Sequence, residues 1–221
     1  MKIACISDVH FPVFKETFLK ALEKIGKREC VDAVLLAGDV VNRNLLRYYP
    51  AVVKYLKRKI ECEKIIACPG NNEFTPEKIV DICPDVTMLI DDVERVGKYY
   101  VYGSVGVLDK PTYWQEKNVR NIREIYRERL ERIGKFLERY GERAILLTHY
   151  APTYKTLLGE SPSAYPSLGS KRLERLVEKF NPAICIHGHS HHGSKFAVVG
   201  KSKVVNVALP LWKEVVFLTL P

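Results

Sequence analysis

Apolar positions along the chain follow two rhythms. Short unbroken runs occur at Lys2–Ser7, Ala33–Ala37, Lys64–Cys68, Tyr99–Gly103, Ala144–Thr148 and Ala183–His187, and each predicts a buried strand. Between them the spacing changes to steps of three and four, the period of a helix with one buried face. Phe18, Leu22 and Ile25 mark such a face in Phe14–Arg28, and Leu45–Lys59 carries another, with a break or start at Pro50. Thr75-Pro76 reads as an N-cap followed by proline in the first turn, opening a helix toward Cys83. A stripe through Val119, Ile122, Tyr126, Leu130, Ile133, Leu137 and Tyr140 predicts one long helix over Tyr113–Tyr140, and Lys171–Phe180 predicts another. Strand and helix in alternation point to a parallel α/β sheet. The tail, Phe196–Val199, Lys203–Val207 and Glu214–Thr219, predicts antiparallel strands. Ala151–Ser170, rich in Pro, Gly and Ser, predicts a long loop of the kind that serves as a lid or binding loop.

Composition narrows the class. With 47% hydrophobic and 28% charged residues, the chain is neither disordered nor fibrous. At 221 residues it is expected to form one domain, 1–221, with a core large enough to need no disulfide or metal for folding. Lys plus Arg exceeds Asp plus Glu by 35 − 26 = 9, which suits anionic partners such as phosphate esters, nucleotides or nucleic acid. Lys110–Arg143 holds 10 basic and 6 acidic residues and supplies +4 of that excess. A solvated helix face is the ordinary reading of such a segment, and a nucleic-acid face is the alternative. No apolar run approaches the ~18 residues of a membrane span, and Ile3–Ile6 is too short for a signal-peptide core. A cytoplasmic protein without membrane partners is expected. The six cysteines include no C-x-x-C pair, so a thiolate zinc site is not expected, and Cys5, Cys68 and Cys185 read as buried thiols within strands.

Candidate chemistry collects just after the predicted strands, where open α/β sheets place their ligands. The clusters are Asp8-Val9-His10, Gly38-Asp39 through Arg43, Gly70-Asn71-Asn72-Glu73, Thr148-His149, and Gly188-His189-Ser190-His191. Any one of them alone is an ordinary turn, cap or stray histidine. Together they bring two carboxylates, an amide oxygen and four imidazoles to one rim. Hard oxygens mixed with imidazole suit Mn²⁺, Fe or Zn²⁺. Seven donors exceed what one four-coordinate ion takes and fit two ions sharing a carboxylate.

In this order the clusters resemble the signature of the calcineurin-like metallophosphoesterase superfamily: D-x-H, G-D-x-x-x-R, G-N-H-[DE], H, G-H-x-H. The match runs from Asp8 to His191. The resemblance implies an α/β fold, a four-layer αββα sandwich of two mixed sheets flanked by helices. It implies one divalent ion held by Asp8, His10, Asp39 and His191, and a second held by Asp39, Asn71, His149 and His189, with Asp39 bridging. It implies hydrolysis of a phosphate mono- or diester. Two ions roughly 3.5–4 Å apart can share a hydroxide of lowered pKa and clamp the oxygens of an in-line displacement.

Two substrate contacts are expected. Arg43 matches an arginine that binds phosphate in the protein-phosphatase branch of that superfamily, although Asn42 and Asn44 depart from the pattern around it. Asn72 stands where the superfamily usually has His, the candidate proton donor to the leaving group. A neutral amide can contact a phosphoryl oxygen but is no general acid near pH 7, which leaves the proton donor unassigned. Glu73 is expected to orient the loop, His187 to be structural and His192 to lie at the surface. Tyr154, Lys155, Tyr165 and Lys171 are candidate contacts to a base or phosphate from the long loop. The leading expectation is a phosphodiesterase acting on a small phosphorylated compound or nucleotide. The alternatives are a nuclease using the basic helix and a non-catalytic scaffold of the same fold.

Overall fold

The computed structural model describes residues 1–221 and contains two mixed β-sheets. The first half of the chain supplies β1 (Lys2–Ile6), α1 (Lys15–Glu23), β2 (Glu29–Ala37), α2 (Tyr49–Lys59), β3 (Ile60–Cys68), α3 (Ile79–Ile82) and β4 (Val86–Met88). The second supplies β5 (Asp92–Val96), β6 (Tyr99–Ser104), α4 (Tyr113–Asn118), α5 (Ile122–Tyr140), β7 (Ala144–Thr148), α6 (Lys171–Phe180), β8 (Ile184–His187), β9 (Phe196–Val199), β10 (Ser202–Asn206), α7 (Leu209–Trp212) and β11 (Val216–Thr219). One sheet has the order β11-β1-β2-β3-β4 and the other β5-β6-β7-β8-β10-β9. Within them β1, β2, β3 and β4 run parallel, as do β6, β7, β8 and β10.

The continuous apolar runs divide by alternation, because successive strand residues face opposite sides of a sheet. Ile3, Cys5, Ala33, Leu35, Ala37 and Ile66 face the second sheet, where Val101, Ile145, Leu147, Ile184, Ile186 and Val205 meet them. Their neighbours Ala4, Ile6, Val34, Leu36 and Ala67 face outward under Phe18, Leu22, Val52 and Leu56 of α1 and α2. On the far side Leu146, Cys185 and Val204 pack under Tyr126, Ile133 and Leu137 of α5 and Leu173 and Val177 of α6. The result is the expected helix–sheet–sheet–helix order. No helix is long and apolar enough to cross a membrane.

Four expectations need correction. The segment Tyr113–Tyr140 is two helices: α4 ends at Asn118, Val119 is extended, and Asn121 adopts the left-handed conformation (φ 57°) just before α5 begins. Thr75 and Pro76 do open a helical segment that ends at Cys83, but the Thr75 hydroxyl makes no capping hydrogen bond and accepts one from Asn44 Nδ2, and the segment is a 3₁₀ turn, Pro76–Lys78, followed by the single turn of α3. The tail is not one antiparallel unit. β10 pairs parallel with β8 and antiparallel with β9, whereas β11 crosses to the other sheet and pairs antiparallel with β1. The segment Ala151–Ser170 is built around two 3₁₀ turns, Lys155–Leu157 and Pro162–Ser167, with Leu157 fully buried beneath it.

Candidate metal centre

Parallel strands deliver their C-terminal ends to one rim, so the five clusters meet although 181 residues separate Asp8 from His189. The turns that follow β1, β2 and β8 are unusual in their backbone. Asp8, His10, Asp39, Arg43 and His189 all have positive φ, between 42° and 68°. Non-glycine residues adopt that conformation at a cost, and such residues concentrate at functional sites. Glycine is required where two of these turns touch. A Cβ on Gly70 would lie 2.1 Å from Asp39 Oδ1, and one on Gly188 would lie 2.4 Å from Asp8 Oδ2.

The side chains converge on two buried carboxylates. His191 Nε2 lies 3.0 Å from Asp8 Oδ1, and His10 Nε2 lies 3.7 Å from both Asp8 Oδ1 and Asp39 Oδ2. His149 Nε2 lies 3.4 Å from Asp39 Oδ2 and 3.0 Å from Asn71 Oδ1. Asp8, His10 and His191 offer ligand atoms within 4.8 Å of one another, and so do Asp8, Asp39 and His149. His189 stands against His149, ring centroids 4.8 Å apart, but its ring nitrogens join neither cluster. The structure thus brings Asp8, His10, Asp39, Asn71, His149 and His191 together, with the His189 ring packed beside His149.

The charges show what this rim demands. Burial works against ionised Asp8, but hydrogen bonding to His10 and His191 outweighs it and holds the carboxyl well below its usual range. Asp39 is likewise lowered against burial, chiefly by His149. Burial would lower His149, yet the Asp39 carboxylate pushes it up to about 10. His189 goes the other way: burial and the neighbouring His149 push it down to about 3, which leaves a neutral imidazole with a free lone pair. Two buried carboxylates that draw positive charge, beside imidazoles and an amide oxygen, form a donor set that fits divalent ions of the Mn²⁺, Fe or Zn²⁺ type.

Supporting contacts aim these donors. His149 Nδ1 is 2.9 Å from the Ala37 carbonyl, so a proton there leaves Nε2 to face the rim. Asp8 Oδ2 accepts from Ser7 Oγ at 2.6 Å and from the His189 amide at 2.9 Å, which leaves Oδ1 toward the imidazoles. Glu73 is buried and accepts from the backbone N–H groups of Asp39, Val41 and Gly70, tying the turns after β2 and β3 together. Burial, with Asp39 nearby, raises its carboxyl to about 7. Sequence reading missed Ser7 and Asn206. Buried Asn206 donates to the Ser190 carbonyl at 2.7 Å and accepts from the Ala208 amide, fixing the loop that carries His189 and His191. Its only sequence signal is an amide in the apolar run Val204–Ala208.

The remaining expectations divide. His187 is buried against Thr156 Oγ1 at 2.9 Å, a structural contact, and His192 is exposed. Asn72 turns inward: its backbone and side-chain N–H groups both donate to Asp39, at 2.7 Å each. It thus positions a carboxylate where a phosphoryl contact was expected. Tyr154 donates to Asp109, Lys155 donates to the Val198 carbonyl, Tyr165 packs edge-on to Tyr154, and Lys171 sits over the Tyr154 ring. These four residues hold the long loop in place and do not reach the rim. Arg43 is exposed, and its backbone N–H donates to Asn72 Oδ1 at 3.1 Å. It borders a cavity of about 670 Å³ that begins at Asn71, Asn72 and His189 and runs between the Phe74 loop and the α4–α5 corner.

Comparison with known proteins agrees with this geometry. The model of the family described as calcineurin-like phosphoesterase matches residues 1–193. No curated protein matches the chain. Among solved structures, phosphopantetheinyl hydrolase from Mycobacterium tuberculosis is 16% identical with a TM-score of 0.66, the match covering 94% of this chain and 88% of that one. A dimetal phosphatase from Danio rerio is 11% identical with a TM-score of 0.56, over 93% and 86% of the two chains. A putative 5′-nucleotidase from Staphylococcus aureus is 15% identical with a TM-score of 0.53, over 93% of this chain but 48% of that one. At these identities the likeness is one of fold.

Proposed function

The chain belongs to the calcineurin-like phosphoesterase family, enzymes that hydrolyse phosphate esters, and from that premise we propose that it is a two-metal phosphodiesterase of small organic phosphates. The observation that carries the reading is the convergence of His10, His149 and His191 Nε2 on the carboxylates of Asp8 and Asp39. In this reading Asp8, His10, Asp39 and His191 hold one ion, and Asp39, Asn71, His149 and His189 hold the other. When bound, such a pair of ions supplies an acidified water and offsets charge on the phosphoryl oxygens.

The chain's own groups do the rest. Asp39 lies between the two ligand sets and is kept in place by Asn72 on one side and His149 on the other. Asp8 and Asp39 stay ionised through the neutral range, because the imidazoles around them hold both below the usual carboxylate pKa. Arg43 presents a guanidinium at the cavity edge, where it can pair with a phosphate oxygen. Phe14 packs edge-on to His10 and His191 and walls one side of the cluster with apolar surface. That wall lowers the local dielectric and strengthens each charge contact inside.

The test is metal content and turnover on the same preparation. Protein saturated with Mn²⁺ is expected to retain two ions per chain and to cleave bis(p-nitrophenyl) phosphate faster than p-nitrophenyl phosphate. Asp39→Asn is expected to lose bound metal and at least about 100-fold in activity, as ligand-sphere changes typically do. One ion or none per chain, or no turnover of either ester, overturns the reading.

A further inference from the structure

The cavity beside the centre has features that a phosphate alone does not use. At its mouth Phe74 and Trp114 hold their rings nearly parallel, 22° apart with centroids at 6.1 Å. Both are large apolar side chains left 57% and 58% exposed. Exposed apolar surface gathered at one concave place marks a binding site. Deeper in, Val119, Ile122 and Ile125, on either side of the Asn121 turn, make an apolar wall. Tyr126 also lines the cavity. It is 2% exposed and adds its ring to that wall, while Arg43, Asn72 and Gln115 bring polar groups to the same lining.

We propose that this cavity receives the nucleobase of a nucleoside phosphate ester whose phosphate lies at the metal rim. The proposal rests on the phosphoesterase reading and names its substrate class. The occupant follows from three contacts. Asn71, Asn72 and His189 border both the rim and the cavity, so a group attached to a phosphate at the rim enters here. The flat faces of Phe74 and Trp114 suit a planar ring, since bases stack on aromatic side chains whatever their sequence identity. An alkyl chain would suit the walls but use none of the polar groups set among them, Arg43, Asn72 and Gln115, whereas a base brings ring nitrogens and exocyclic groups to them. A cavity near 670 Å³ falls in the range of small-molecule sites, which admits a nucleotide and excludes a duplex.

Binding tests this without turnover. The intact, Mn²⁺-loaded protein is titrated with adenosine 5′-monophosphate, ribose 5-phosphate and hexyl phosphate, each as its non-hydrolysable methylene phosphonate analogue, read by tryptophan quenching and by equilibrium dialysis. The adenine nucleotide is expected to bind at least about tenfold more tightly than the other two and to quench Trp114. Phe74→Ala and Trp114→Ala are each expected to weaken it about tenfold and to leave ribose 5-phosphate unchanged, the usual size of a lost stacking contact. Both positions are surface-exposed, so these variants keep the fold. Equal binding of nucleotide and ribose phosphate, or tighter binding of hexyl phosphate, overturns the proposal. Failure of the bis(p-nitrophenyl) phosphate assay overturns the hydrolase reading instead, and the binding series separates the two failures.

Discussion

Asn72 and Glu73 are adjacent and do opposite things with the same turn. Asn72 sends two N–H groups to the Asp39 carboxylate, while Glu73 takes three backbone N–H groups from Asp39, Val41 and Gly70. A carboxylate can accept all three, but an amide brings an NH₂ that faces a donor. Glu73→Gln is therefore expected to loosen the turns that carry Asp39 and Asn71. Metal affinity or activity should fall about 10- to 100-fold while circular dichroism stays native, measured by Mn²⁺ titration against turnover. An unchanged Mn²⁺ affinity and rate would contradict the positioning role. The sequence places Glu73 beside the metal-rim cluster, yet the residues it serves lie on another strand's turn, 32 and 34 positions away.

At the scale of elements, the Ala151–Ser170 segment shows how a loop is held without regular structure. Asp109 gathers it: Tyr154 and Ser170 donate to the carboxylate from their hydroxyls, and Lys171 donates its backbone N–H, all within 2.8 Å. Burial would raise the Asp109 carboxyl, but hydrogen bonds from Lys171, Ser170, Tyr154 and Arg172 outweigh it and hold the pKa below the ordinary value. A depressed folded-state pKa contributes stability above the unfolded pKa and loses it as pH falls through the folded one. Asp109→Asn is thus expected to lower Tm at pH 7, with the gap to wild type closing below about pH 4. A gap that is constant with pH would show the carboxylate charge to be irrelevant. The α4–α5 corner is a second case. The apolar stripe continues in step across Val119 and Ile122, which is why periodicity reads one helix. The interruption includes extended Val119 and left-handed Asn121, a residue that tolerates positive φ and equally well occurs within helices.

At the scale of the whole molecule, the layer between the sheets sets stability, and its residues touch no ligand. Ile145 is fully buried there, and Ile145→Ala is expected to cost about 2–5 kcal/mol. For a chain of this size Tm should drop by about 5–15 °C, read by calorimetry, with the metal content of the folded fraction unchanged. A drop of less than about 2 °C would mean that the two sheets are not packed as described. By itself the sequence determined nine of the eleven strands, all but β4 and β5, together with the longer helices and the cluster of rim donors, because buried runs, helical spacing and strand-end motifs are local signals. It also pointed to Asp8, Asp39 and the four histidines as one set, through their order along the chain. Only the tertiary structure decided that β11 crosses to β1, that Asn206 fixes the His189 loop, and that Asn72 serves Asp39. It alone placed Phe74, Trp114 and Tyr126 around one cavity. Those relations join residues distant in sequence, and a buried hydroxyl or a turned amide acquires its meaning from the neighbour that the fold brings to it.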